Sequence, residues 1–290
     1  MTIFILSSYY KTGGPESLHQ LCSSLNSKSL ESYIYYVDQK ELKNSLYNFP
    51  NVRVTKEIQD IEENLLVIPE IYSLTEIRKL VKHMKIAIYW LSFTNSCLFH
   101  SLTENIDSNV IHLFQSYYSY AMIKPFLNVN SKWFFITDTI NPIFQRNPFI
   151  KKQNIIAYNH TKDKITPSLC QQLKIPCIPL INMTQPEIVD ILNKCKAYVD
   201  LGYHPGRDKL PREAAMCGCV IITNKCGSAA YMEDIPIEEK ITYDNDLLLL
   251  LPMVISHYEQ YYQKQEPYRI TIQEEKIKFE NYIDSFIKSL

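Results

Sequence analysis

The chain has 290 residues, 46% of them hydrophobic, which is enough apolar surface for two cores of ordinary size. Lys+Arg 30 against Asp+Glu 31 leaves a formal net charge of -1, so no global field recruits nucleic acid or an anionic membrane, and an anion has to be held by a local cluster. The eight cysteines contain no CxxC pair and several fall inside predicted elements, the pattern of reduced, buried thiols in a cytoplasmic protein; Cys217, Cys219 and Cys226 lack a fourth zinc ligand, and no metal site is expected.

Met1 to Ser8 has neither the basic leader nor the long apolar core of a signal peptide, and it reads as a buried strand. Ten further β-rich runs follow in chain order, separated by helical stretches. They are SYIYYV, NLLVIP, KIAIYWLS, NVIHLFQ, WFFIT, NIIAYN, CIPLI, AYVDL, CVIIT and KITYD. Continuous apolar strands alternating with helices imply parallel sheets covered on both faces, an α/β doubly wound pattern. Eleven strands are many for one open sheet. Two Rossmann-like domains facing a cleft are therefore expected, 1–135 and 136–290, with the boundary where Asn128, Asn130, Pro142 and Pro148 interrupt regularity. The longest apolar run, Leu247 to Ile255, contains Pro252 and falls far short of the ~20 residues that span a bilayer. No transmembrane segment is expected; peripheral membrane contact and oligomeric state stay open. Glu274 to Leu290 places Ile277, Tyr282, Ile283, Phe286, Ile287 and Leu290 at helical spacing, an apolar stripe that packs back onto a core.

All six glycines fall in two stretches, Gly13-Gly14 and Gly202 to Gly227, each reading as strand, turn, helix. Glycine lets a ligand approach the main chain closely, and Pro15 and Pro211 suit the first turn of the helix that follows. Each stretch is a candidate anion cradle. In the second, Arg207, Lys209 and Arg212 gather at a helix start predicted at Leu210-Pro211, where the macrodipole disfavours cations unless something negative arrives. Asp208 and Glu213 offset part of this, and a solvated basic turn is the plainer alternative to a phosphate site. Asp244-Asn245-Asp246 could hold a divalent metal, but between a strand and a helical run Asp is an ordinary N-cap.

The stretch from Tyr198 to Thr223, YVDLGYHPGRDKLPREAAMCGCVIIT, resembles the donor-binding segment of GT-B glycosyltransferases of the large retaining group that includes family 4. Gly227-Ser228-Ala229 is similar to the group's small-residue loop after the next strand. Thr12-Gly13-Gly14-Pro15-Glu16 is similar to its glycine-glycine loop facing donor phosphates and acceptor, and Ile181-Asn182-Met183-Thr184 sits where its base-holding loop would be. The resemblance implies an N-terminal acceptor domain, a C-terminal nucleotide-sugar domain, and a hexosyltransferase-like enzyme of polysaccharide biosynthesis. Such an enzyme would act on a glycan, lipid-linked or protein acceptor, retaining and metal-independent, with the nucleotide-sugar as co-substrate and no cofactor.

By position, Glu213 corresponds to the second glutamate of the family's E-x7-E pattern, which grips ribose, while the first falls at Pro205; His204 or Asp208 is its candidate substitute. Lys162 and Lys164 correspond to the family's basic pair. The implied catalytic residues are Arg207 and Lys209, which with Lys162 or Lys164 and the amides of Gly206 and Gly14 stabilise the departing diphosphate; Asn182, Met183, His204 and Ser228 complete the donor pocket. Softer acceptor-side candidates are Glu16, His19, Trp90, Ser92, Asn95, Gln115, Tyr117, Tyr118, Asp138 and Asn141, each with a core or capping role as its alternative. Two other readings stay open: a GT-B-like epimerase or phosphorylase, which shares the architecture, and a non-catalytic nucleotide-sugar-binding subunit of a partner transferase, which the missing glutamate makes credible.

Overall fold

The computed structural model describes residues 1–38, 44–95 and 109–290; Cys97 lies outside them. Strands form at all eleven predicted runs and divide into two parallel sheets. The first contains β1 (Ile3–Ser7), β2 (Ser32–Tyr36), β3 (Leu65–Pro69), β4 (Lys85–Trp90), β5 (Val110–Phe114) and β6 (Trp133–Phe135), in the order β2-β1-β3-β4-β5-β6. The second contains β7 (Gln153–Asn159), β8 (Cys177–Leu180), β9 (Cys195–Asp200), β10 (Val220–Asn224) and β11 (Lys240–Ile241), in the order β11-β10-β9-β7-β8.

The chain divides into two compact units, one of residues 1–139, 205–207 and 275–290, the other of residues 140–204 and 208–274. In the first, every residue of β1 is buried, as a strand covered on both faces requires. Helix α1 (Gly13–Ser27), followed in this unit by α2 (Leu74–Leu80) and α3 (Tyr117–Ile123), supplies Leu18, Leu21, Cys22 and Leu25 to one face at helical spacing. The terminal helix, Glu275–Ile287, adds Phe279, Ile283 and Phe286 to the same core. It is further tied to α1 by Lys28, whose Nζ lies 3.1 Å from Glu280 and 2.7 Å from Asp284.

That helix departs from the expected 136–290 domain, since it packs with the first unit. Its stripe also differs. Ile277 is 66% exposed and Phe279 is buried instead, because at about 100° per residue position 277 lies roughly 120° around the helix from Ile283. The two faces of the second sheet can be read from adjacent residues. Ala157, Tyr198 and Ile221 enter one core and Ile156, Val199 and Ile222 the other, as period-two alternation requires.

The second unit's helices are α4 (Thr166–Leu173), α5 (Gln185–Lys194), α6 (Lys209–Met216), α7 (Asp246–Ser256), α8 (Tyr258–Lys264) and α9 (Glu266–Gln273). Pro252 does not end α7, which runs through it. Asp246 is not the N-cap: Asn245 takes that position, and the Asp246 carboxylate accepts from the N–H groups of Thr242 and Tyr243. Cys22, Cys170, Cys195, Cys217 and Cys219 are buried, Cys177 is half-buried and Cys226 is exposed. Among the described residues no helix is long and apolar enough to cross a membrane.

Candidate functional site

In an open parallel sheet, ligands bind beyond the carboxyl ends of the strands where the strand order reverses. In the second sheet β7 lies between β9 and β8, so the reversal falls between β7 and β9, and the loops that leave them are Asn159 to Ile165 and Leu201 to Asp208. Lys162 and Lys164 are on the first of these loops, His204 on the second. A Cβ on Gly202 would lie 2.4 Å from the Cβ of Lys162, so glycine is what allows the two loops to touch.

Four ionisable residues form one connected group there. The Lys162 Nζ donates to both Asp208 carboxylate oxygens at 2.7 Å, and the fully buried His204 ring places Nδ1 2.8 Å from Asp208 Oδ2. Its Nε2 lies 3.4 Å from the Asp200 carbonyl and 3.7 Å from Asp200 Oδ1. Asp200 also accepts from the Tyr198 hydroxyl and the Gly202 N–H. Burial pushes the Asp200 carboxyl up. Burial works in the same direction on Asp208, but its bonds to His204 and Lys162 outweigh that and leave it below the usual carboxylate range. For His204 burial opposes the cation, and the bond to Asp208 with the charges of Asp200 and Asp208 outweighs it and raises the ring.

Asp163 holds the first loop in shape. Its buried carboxylate accepts from the N–H groups of Ile165, Thr166 and Leu201, and from the Thr166 hydroxyl. Asp163→Ala strands these donors, and we expect a loss of about 3 kcal/mol in urea unfolding. A loss under about 1 kcal/mol would show that water replaces the carboxylate.

Helix α6 opens at Lys209, one residue earlier than expected, with Asp208 as N-cap. The Asp208 side chain makes no capping bond because Lys162 and His204 draw it away. Arg212 is buried and its Nε donates to the Asp208 carbonyl. Glu213 is buried one turn in. After β10, Gly227 takes φ 61° and a Cβ there would fall 1.9 Å from the His204 carbonyl oxygen, to which the buried Ser228 donates its N–H at 2.9 Å. Asn182 is exposed at φ 52°, Met183 packs partly against a core, and Thr184 opens α5 in a capping box with Glu187. Lys164 is exposed and donates to the His160 carbonyl.

Arg207 differs from its expected setting. It belongs to the first unit, where its guanidinium lies 2.8 Å from Glu275 Oε1, with side chains 11% and 2% exposed. The expectation of a cation repelled by a helix start and awaiting an anion is therefore corrected for Arg207. Glu275 neutralises Arg207, Asp208 neutralises Lys162, and Arg212 turns back on a carbonyl.

In the first sheet the order reverses between β1 and β3, and Gly13-Gly14 opens α1 just beyond β1. Nothing lies within 4 Å of where a Gly13 Cβ would be, and Thr12 makes no side-chain cap. Beneath this turn Ser17 donates to the Gly13 carbonyl at 2.9 Å and to Asp138 at 3.4 Å, and Gln115 donates to Ser17 at 2.9 Å. Several acceptor-side candidates are core residues. The His19 ring, lowered by burial to about 4, spans the Pro15 carbonyl and the Tyr36 hydroxyl; the buried Trp90 indole donates to His112; Tyr118 packs edge-on against Phe93. Asn141 bonds Gln185 in the second unit, while Ser92, Asn95, Glu16 and Tyr117 keep at least partial exposure.

Sequence reasoning missed Asp163, Asp200 and Glu70. Asp200 ends an apolar strand and Glu70 directly follows one, the one local signal they carry, while Asp163 lies further along the loop after β7. Among the described residues no cluster of His, Cys, Asp and Glu could hold a metal ion.

No family model matches the sequence, and no curated protein matches it. Solved structures do. Sucrose-phosphate synthase of Thermosynechococcus elongatus is 10% identical with a TM-score of 0.73, covering 100% of this chain and 98% of its own. HepE of Anabaena, solved with UDP-glucose, is 12% identical with a TM-score of 0.68 and full coverage of both chains. AviGT4, a glycosyltransferase involved in avilamycin A biosynthesis, is 10% identical with a TM-score of 0.58, covering 97% of each chain. These are GT-B glycosyltransferases, and the chain has their fold.

Proposed function

We propose that this protein transfers a sugar from a nucleoside-diphosphate sugar to a glycan, lipid-linked or protein acceptor. The observation that carries the reading is the meeting of the Lys162 loop with the start of α6 at the strand-order reversal of a GT-B second sheet. HepE, of the same fold, was solved with UDP-glucose and with UDP, which makes uridine sugars the first donors to try.

In this reading Lys209, Lys162 and Lys164 hold the diphosphate, with Lys162 exchanging the Asp208 carboxylate for phosphate oxygens. Glu213 holds ribose, Asn182 and Met183 hold the base, and Ser228 and His204 complete the donor pocket. Gly206 and Arg207 continue the loop that carries His204 and are assigned to the same diphosphate. Cations and amides already in place lower the barrier as charge develops on the leaving diphosphate, so the reaction proceeds without a metal. Retention with the leaving phosphate taking the acceptor's proton needs no separate base. The Asp208–His204 pair stands beside Pro205, where the family's first glutamate is missing, and we assign it that glutamate's task. The buried thiols suit a reducing compartment, and a cytoplasmic role in polysaccharide biosynthesis is part of the proposal.

Thermal shift tests this directly. A UDP-sugar at a hundred times its dissociation constant adds about 2.7 kcal/mol of stability, and Lys209→Ala should abolish the shift while keeping the fold. No shift with UDP-, GDP-, CMP- or dTDP-sugars would overturn the assignment. The Pro205 departure favours one competing reading, the non-catalytic subunit: tight donor binding with neither hydrolysis nor transfer in any acceptor mixture would establish it, and transfer unaffected by EDTA would support the enzyme as described.

A further inference from the structure

Glu70 follows β3 directly and is 2% exposed, although Glu is almost never fully buried unless its charge is matched. Its matching groups are two consecutive main-chain amides beyond β4, with Leu91 N–H donating to Oε2 at 2.9 Å and Ser92 N–H to Oε1 at 2.7 Å. Successive amides pointing the same way form an anion-binding concavity, here filled from within the chain. The turn that Glu70 grips is the turn that receives residues 205–207. Phe93 N–H donates to the Pro205 carbonyl at 2.9 Å. Gly206 sits so close to Leu91 that a Cβ would lie 1.9 Å from its carbonyl oxygen. Arg207, next in the chain, is then placed on Glu275.

We propose that Glu70 is a positioning residue that fixes the turn Leu91–Phe93 so that this turn seats Pro205, Gly206 and Arg207. Both carboxylate oxygens are acceptors, which is what two parallel amides require. A glutamine in the same place keeps one acceptor but turns an NH2 against the other amide, so charge and geometry are needed together. Burial raises this carboxyl to about 7, the effort of holding a carboxylate out of water, and a purely space-filling role would be met by an apolar side chain.

The link to donor binding rests on the function proposed above, through Gly206 and Arg207, whereas the seating itself is read without any ligand. Hydrogen exchange on the full chain compares wild type with Glu70→Gln, and with Glu70→Ala where that variant folds. Exchange should rise about tenfold or more in peptides covering both 91–93 and 205–207, with the second sheet unchanged and circular dichroism preserved. The dissociation constant for UDP-glucose should weaken by about tenfold. A rise confined to 91–93, with 205–207 protected as in wild type, would overturn the proposal and leave Glu70 a local support. If wild type binds no nucleotide sugar while 205–207 loosens in Glu70→Gln, the functional reading fails and the positioning role stands.

Discussion

Arg207→Ala should lose about 3 kcal/mol of folding stability, separately from any loss of activity. The reason is the carboxylate left behind. Glu275 is 2% exposed with Arg207 2.8 Å away, and removing the cation leaves a buried charge without its main counterpart. Breaking a buried pair from one side is costly, whereas replacing both partners by apolar groups of similar volume is often neutral. The double variant Arg207→Met with Glu275→Leu is therefore expected to recover most of the stability in urea unfolding. Equal stability of Arg207→Ala and wild type would show that the pair contributes nothing to the first unit. The distinction bears on function, because an inactive Arg207→Ala would report a loosened fold as well as any loss of the diphosphate contact proposed for it. Lys209→Ala is the cleaner probe, since Lys209 opens α6 in the second unit.

Gly227→Ala should be as severe, with an expected loss of about 3 kcal/mol. Two causes add. Gly227 has φ 61°, where an L side chain is strained, and its Cβ would meet the His204 carbonyl oxygen at 1.9 Å and the carbonyl carbon at 2.7 Å. Backbone cannot swing aside as a flexible side chain can. The loop after β10 has to back away, breaking the bond from Ser228 N–H to the His204 carbonyl. His204 then shifts against Asp208, so the titration of the His204 ring, followed by NMR, should move toward that of an ordinary histidine. Wild-type stability together with an unmoved His204 titration would refute this account of the glycine.

Much of the architecture was legible because its signals are local. The run IFILS, buried throughout, can only be a strand covered on both faces, and the same holds for LLVIP and VIHLF. The glycines of Gly202 to Gly227 were read as room for a ligand, whereas at Gly202, Gly206 and Gly227 it is the chain's own Lys162, Leu91 and His204 that a Cβ would meet. The candidate site was legible in position but not in its electrostatics. Lys162 and Asp208 are 46 residues apart, and Arg207 and Glu275 are 68 apart. No periodicity or spacing rule pairs such residues.

What the chain determines by itself is the succession of strands and helices, the two glycine turns and the gathering of cations near α6, since each depends on side-chain period and backbone freedom within a few residues. Tertiary structure alone decided that the last helix joins the first unit and that Glu275 meets Arg207. It also decided that Glu70 grips the turn on which Gly206 rests. Ion pairs and buried acceptors act over a few ångströms of space rather than of sequence, so their partners exist only once strand order has brought distant loops together.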